Sequence, residues 1–183
     1  MTIRLRVPKN VDSRVYLERP HKRHCDDFLA AVERTRKRYG SLVVPPSSAD
    51  AYVKLLAACR RANYETFLIV HRELDALVGT VEISSIVRGL FQSAFLGYYG
   101  FEPYLGKGLM KEGIALTIDH AFQKLGLHRL EANIQPTNAR SIGLVKSLGF
   151  KREGYSPRYL KIAGRWRDHE RWAILADEWQ ELC

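Results

Sequence analysis

Apolar residues recur along this chain with two periods, and the places where one gives way to the other predict its elements. Over residues 108–125 the apolar positions Met110, Ile114, Ile118, Ala121, Phe122 and Leu125 fall at helical spacing, with Gly126 placed to end the helix. Helical patterns also cover 25–39 and 48–62, the second opened by Ser47 or Ser48 as N-cap. Residues 14–18, 66–70, 77–83 and 94–99 are runs of β-branched or aromatic residues; the last three are separated by turn-like segments and read as an antiparallel meander. A strand over 127–134, a helix over 138–147 closed by Gly149, and a strand pair over 151–162 and 166–176 turning at Ala163-Gly164 complete an α+β plan. One mixed sheet with two or three helices on each side is expected.

A chain of 183 residues with 46% hydrophobic content holds one sizeable core, so 1–183 is expected to be a single domain. The candidate break at Val43-Val44-Pro45-Pro46-Ser47-Ser48 is a loop between two helical patterns, and no repeat or low-complexity tract interrupts the sequence. The opening Met1-Thr2-Ile3-Arg4-Leu5-Arg6 lacks the apolar core of a signal peptide, and no apolar run approaches bilayer-spanning length. A soluble, cytoplasmic protein with no membrane association is expected. Cys25, Cys59 and Cys183 share no metal-ligand spacing, which points to free thiols and no metal.

Lys and Arg outnumber Asp and Glu by 29 to 20, a formal net charge of +9. That balance suits an acidic partner such as a polyphosphate cofactor, a nucleic acid or a ribonucleoprotein, and it also serves plain solubility. The densest basic run, Arg34-Thr35-Arg36-Lys37-Arg38, falls on a helical pattern and reads as a solvated face.

Candidate chemistry concentrates between Gly97 and Met110. A short apolar run passes into Tyr104-Leu105-Gly106-Lys107-Gly108-Leu109 and straight into the long amphipathic helix. Glycines at this junction let backbone N–H groups approach an anion at the positive end of a helix. A nucleotide P-loop does not fit: five residues separate Gly100 from Gly106, and Lys107 is followed by Gly108 instead of a hydroxyl residue. The dinucleotide fingerprint does not fit either, because Lys111 stands where its third glycine belongs.

The order of strand, Gly106-Lys107-Gly108, helix, strand, Asn138-Ala139-Arg140-Ser141 and Leu148-Gly149-Phe150 resembles the GCN5-related N-acetyltransferase (GNAT) superfamily. More narrowly, Leu96-Gly97-Tyr98, Leu105-Gly106-Lys107-Gly108-Leu109-Met110, Glu153-Gly154-Tyr155 and Trp166-Arg167-Asp168-His169 resemble the RimJ/RimL-type ribosomal-protein-alanine N-acetyltransferases, with Val87-Arg88-Gly89 on the RimJ side. The likeness runs from Val11 to Trp179. It implies a mixed, mostly antiparallel sheet of six to seven strands flanked by helices on both faces.

The resemblance also implies acetyl-CoA as acyl donor, its pyrophosphate on the backbone of Tyr104, Leu105, Gly106, Lys107, Gly108 and Leu109. The pantetheine arm would pair with Leu96, Gly97 and Tyr98 like an added strand, with Asn138 bonding it from the other side. A main-chain N–H there would polarise the thioester carbonyl. Asn138 also suits a helix N-cap, and the two roles are compatible.

Many superfamily members protonate the leaving thiolate with a tyrosine seven residues after the Asn138 position, where this chain has Val145. Ser141 matches the serine that RimL-type relatives are thought to use, and is the expected acid. Two positions where relatives carry a basic glutamate are Asn133 and Leu160 here. Glu82, mid-strand, is the first choice of base, ahead of Glu102 and of Asp168 and His169, whose expected role is to hold the final hairpin. Tyr98, Tyr99, Tyr159 and Trp166 are candidates to line a peptide groove.

The expected function is acetyl transfer to the N-terminal alanine α-amine of a ribosomal protein by direct attack in a ternary complex, with ribosome or RNA association and a monomeric or dimeric state. A small amine (amino sugar, polyamine or amino-acid analogue) is the alternative acceptor, and a non-enzymatic RNA- or ribosome-associated module the second alternative.

Overall fold

The computed structural model describes residues 4–5 and 13–182. Val11, where the resemblance begins, Cys183 and most of the opening segment lie outside the described residues. The strands are β1 (Arg4–Leu5), β2 (Val15–Glu18), β3 (Glu65–His71), β4 (Leu77–Val87), β5 (Ser93–Gly100), β6 (Arg129–Ile134), β7 (Lys151–Ile162) and β8 (Arg165–Leu175). The helices are α1 (Cys25–Tyr39), α2 (Ala49–Ala58), α3 (Leu109–Gln123), α4 (Ala139–Ser147) and α5 (Ala176–Leu182). One sheet holds them in the order β1-β2-β3-β4-β5-β6-β8-β7. Every neighbouring pair is antiparallel except β5–β6. The expected mixed, mostly antiparallel sheet is therefore present, with the two-residue β1 added at one edge.

Both faces of the sheet are covered, and strand alternation decides which residue serves which face. In β3, Phe67 and Ile69 join a buried cluster with Leu109, Ile114 and Ile118 of α3, while Leu68 and Val70 join a second cluster with α1 and α2. Helix α1 forms over the expected residues because Phe28, Ala31, Val32, Thr35 and Tyr39 recur at helical spacing and are all buried. Ser48 caps α2, its hydroxyl accepting from the Ala51 N–H at 3.2 Å.

Two elements differ from the sequence expectation. Helix α2 stops at Ala58, four residues early, because the Arg60 and Arg61 N–H groups turn back to Ala57 and Ala58 in a tighter final turn. The last strand ends at Leu175, where α5 begins. That helix starts with Asp177 and Glu178 in its first turn, and the Glu178 carboxylate accepts the Leu175 N–H at 3.2 Å. Trp179 then donates its indole N–H to the buried Asp119 of α3 at 2.8 Å, docking α5.

Candidate active site at the splayed strands

The loop between β5 and α3 turns through backbone that suits its glycines. Gly106 and Gly108 have φ of 76° and 81°, a region that suits glycine, and Gly108 is the N-cap of α3. No side chain caps the helix, so its first-turn N–H groups are offered to an anion. Nothing lies within 4 Å of where a Cβ on Gly106 would point, which leaves the loop open above that residue. Lys107 is exposed, its Nζ 5.7 Å from the Tyr104 ring centroid.

One feature of this cradle has no signature in the local sequence. Glu112 sits in the first turn of α3, where a carboxylate would compete with a bound anion. Arg14 neutralises it: its backbone N–H reaches Glu112 Oε2 at 2.9 Å, its Nε reaches Oε1 at 2.8 Å, and its Nη2 donates to the Lys107 carbonyl at 3.0 Å. No local pattern links residues so far apart in sequence.

Beside the cradle the sheet opens. Strands β5 and β6 pair only from Ser93↔Arg129 to Phe95↔Glu131, yet β5 continues to Gly100 and β6 to Ile134. Leu96, Gly97 and Tyr98 are paired with β4 on one side and, among the described residues, with no strand on the other. An unpaired β-edge of this kind accepts an extended chain through main-chain hydrogen bonds. The residues expected to hold an extended acyl carrier thus line one notch that leads to the glycine loop.

The two expected catalytic residues flank that edge from opposite faces. Ser141, in the first turn of α4, brings its Oγ to 2.6 Å from the Tyr98 hydroxyl on the α3 face. Burial pushes the Tyr98 phenol up to about 12 against the opposing hydrogen bond from Ser141, so the phenol stays protonated at neutral pH. Asn138 is the N-cap, its Oδ1 accepting from the Ser141 N–H at 3.2 Å, which fixes the start of α4 and the place of Ser141. Glu82 pairs with Gly97 across β4–β5 and lies on the other face, because its neighbours Val81 and Ile83 enter the α3 cluster. Its carboxylate stretches over Gly97: a Cβ there would lie 2.8 Å from Glu82 Oε1. The Tyr64 hydroxyl donates to Glu82 Oε2 at 2.5 Å, and burial together with this carboxylate pushes the Tyr64 phenol above its ordinary range.

The remaining candidates are engaged elsewhere. Glu102 is paired with Arg38 at 3.1 Å, and its N–H bonds Thr35 Oγ1, which ties it to α1. Asp168 accepts from Tyr155 Oη at 2.5 Å and from the Arg158 N–H at 2.7 Å, and the buried His169 ring contacts the Arg167 carbonyl at 3.0 Å. Both hold the hairpin. Asn133 lies two residues beyond the last parallel pair, across the notch from Gly97, with its Oδ1 buried and unpartnered. Of the aromatic candidates, Tyr98 turns to α4, Tyr99 packs on Tyr39 and Phe101, Tyr159 lies beside the His169 ring, and Trp166 is 60% exposed. A recess of about 850 Å³ between α1 and the β3–β4 turn carries mixed charges, including Glu18, Asp27, Arg23 and Arg34, and meets the cradle only at Tyr104.

A splayed β5–β6 pair, a glycine loop at a helix N-terminus, and a hydroxyl and a carboxylate flanking the open edge define an acyltransferase-like site. The chain belongs to the acetyltransferase (GNAT) domain family, whose model matches residues 14–151. It is 44% identical over 101 residues to the probable N-acetyltransferase YjcK of Bacillus subtilis (strain 168), a stretch covering 55% of this chain and 56% of that protein. It is 40% identical over 103 residues to the [ribosomal protein uS5]-alanine N-acetyltransferase of Escherichia coli (strain K12), covering 56% and 53%. The chain spans about half the length of these curated relatives. Among solved structures, Mycobacterium smegmatis RimJ in complex with CoA-disulfide superposes with a TM-score of 0.82 at 28% identity, over 97% of this chain and 88% of that one.

Proposed function

We propose that the protein is a single-domain N-acetyltransferase that moves an acetyl group from acetyl-CoA to the N-terminal α-amine of a protein, with the N-terminal alanine of a ribosomal protein as the leading acceptor. The observation that carries this reading is the placement of Glu82 and Ser141 on opposite faces of the unpaired β5 edge, next to the open glycine loop.

Each residue then has one task. Backbone N–H groups of Leu105 to Leu109 hold the pyrophosphate, the Tyr104 N–H being already given to the Phe101 carbonyl at 3.0 Å, and Leu96, Gly97 and Tyr98 pair with the pantetheine arm and aim a main-chain N–H at the thioester oxygen. The acceptor comes from the face of Glu82. An α-amine with an ordinary pKa near 8 is substantially neutral in the cell, so a modest base suffices. The amine nitrogen forms a bond to the acetyl carbon as the carbon–sulfur bond breaks. The proton lost by nitrogen passes to Glu82, and the departing thiolate takes one from Ser141, which is resupplied through Tyr98.

The charge on the acceptor side favours an α-amine over a polyamine. Alternation places Arg167 and Arg171 of β8 on the face of Glu82, since Asn133 pairs with Arg171 while Ala132 and Trp172 enter the α3 cluster. Glu131 and Glu153 near them are tied to Arg129. A polycation would meet repulsion there, whereas a peptide N-terminus brings one amine and many carbonyls.

Thiol release from acetyl-CoA, followed with an alanyl peptide, spermidine, an amino sugar or no acceptor, tests the reading. Release that depends on the peptide supports it. Release with only a small amine would move the acceptor to that class, and no acceptor-dependent release would leave a binding module.

A further inference from the structure

In the folded protein two of the four cations of the densest basic run are paired with carboxylates. In α1, Arg36 pairs with Glu33, Arg38 pairs with Glu102, and Arg34 donates to the Glu102 carbonyl. Three further cations without a carboxylate partner, Lys161, Arg165 and Arg167, lie together in the β7–β8 hairpin. Strand β8 pairs with β6 only from Glu170 to Leu175, so Arg165 to His169 run past the end of β6, and β7 is the edge strand of the sheet. The distal hairpin is therefore a two-stranded ribbon projecting beyond its neighbours. It carries Arg158, Lys161, Arg165 and Arg167 against one carboxylate, Asp168, which already serves Tyr155 and the Arg158 N–H. Among the described residues no carboxylate stands within ion-pairing distance of Lys161, Arg165 or Arg167.

One face of the ribbon also carries an exposed aromatic ring. Trp166 is 60% exposed, while Trp172 and Trp179 are buried. Its cross-strand partner is Lys161, so indole and ammonium project from the same face of the ribbon, and the flanking Arg165 and Arg167 lie on the other, Arg165 exposed and Arg167 half-buried with its Nε unpartnered. The Trp166 indole has no hydrogen-bond partner among the described residues. Nothing in the fold requires a large exposed aromatic between two arginines. A narrow edge ribbon with unpaired cations on both faces, for a charged backbone that wraps it, and a flat exposed ring on one face, on which a base can stack, offers the two elements of single-stranded nucleic-acid binding.

We propose that the ribbon from Arg158 to Arg167 binds a single-stranded segment of RNA, with Lys161, Arg165 and Arg167 on phosphates and a base stacked on Trp166. The ribbon adjoins the acceptor side of the notch, because Ile134, at the end of β6, pairs with Glu170, the residue where the overhang begins. RNA held there brings a protein bound to that RNA to the acceptor mouth. The inference concerns binding and stands whether the acceptor is an α-amine or another amine.

The test uses the full chain and a fluorescein-labelled 20-nucleotide single-stranded RNA, read by anisotropy across a salt series, with polyglutamate as competitor. The expected log–log salt slope is about −2 for three phosphate contacts, and Lys161→Gln with Arg165→Gln together reduce it by about 1.4. Trp166→Ala weakens binding about tenfold with the slope unchanged, and RNA quenches the long-wavelength emission of wild-type Trp166. Fluorescence titration with CoA confirms that each variant is folded. RNA affinity within twofold of wild type in a variant combining Lys161→Gln, Arg165→Gln and Trp166→Ala overturns the proposal, as does no RNA binding by the wild type. Equal displacement by polyglutamate also overturns it, in favour of an acidic protein partner.

Discussion

The hydroxyls of Ser141 and Tyr98 share a hydrogen bond of 2.6 Å, which joins α4 to β5 where β5 has parted from β6. The notch is thus bridged on its α3 face by two protonated hydroxyls in series. A leaving thiolate beside Ser141 draws on both, with no ionised phenol required below the Tyr98 value of about 12.

Ser141→Ala is expected to lower kcat by about 10²-fold while leaving the CoA dissociation constant within a factor of two. Tyr98→Phe acts in the same direction by a smaller factor, because Ser141 stays in place on its Asn138 cap. Steady-state kinetics with calorimetric CoA binding separates the two effects. An unchanged kcat in Ser141→Ala would reduce the serine to a structural role.

Glu82 and Gly97 form a second coupled pair. Glu82→Gln is expected to lower kcat/KM by about 10²-fold. Gly97→Ala places a Cβ 2.8 Å from Glu82 Oε1 and forces the carboxylate aside, with a loss in the same direction. Since both act through one carboxylate, the double variant falls no further than Glu82→Gln. Additive losses would separate Gly97 from the base.

At Gly106 a side chain has space but the backbone does not suit it, since φ is 76°. Gly106→Ala costs roughly 1 kcal/mol of backbone strain, and CoA binding weakens about fivefold. Gly106→Asp adds a negative charge at the anion seat, for which a loss above 100-fold is expected. Equal effects of Ala and Asp, measured by calorimetry, would remove the phosphate from this loop.

The indole of Trp179 is a buried donor to Asp119 Oδ1, so Trp179→Phe leaves that oxygen only the long 3.5 Å hydrogen bond from Gln123. A loss of about 1–3 kcal/mol follows. Urea denaturation followed by circular dichroism measures it.

Burial pushes His169 below its ordinary value of 6.5, against the opposing hydrogen bond with Arg167 and the charge of Asp168. Protonation therefore favours the unfolded chain. Stability contributed by the neutral ring is present above pH 6.5 and is lost as pH falls toward the lower folded value. Between pH 7.5 and 5.5 the wild type is expected to lose more stability than His169→Asn. Parallel pH curves for the two proteins would assign the acid sensitivity to other groups.

What the sequence determined by itself is local. Helical spacing gave α1 its span, Ser48 and Asn138 announced their caps, and Gly106 and Gly108 announced the loop that opens α3, because each signal lies within a few residues of its effect. Family likeness selected Ser141 and the Leu96 to Tyr98 edge, and periodicity had no means to do so. Helix α5 was missed because Ala173 to Ala176 continue an apolar run, and its stop depends on Glu178 and on docking to Asp119.

Tertiary structure alone decided the rest. Register places Gly97 opposite Glu82, the early end of β5–β6 pairing opens the notch, and packing brings Tyr64 to Glu82, Tyr98 to Ser141 and Arg14 to Glu112. It also paired Arg36 and Arg38 of the α1 basic run with carboxylates and left Lys161, Arg165 and Arg167 of the hairpin without one. Partners this distant in sequence meet only when strand pairing and helix packing have fixed the whole sheet, and no local period encodes that meeting.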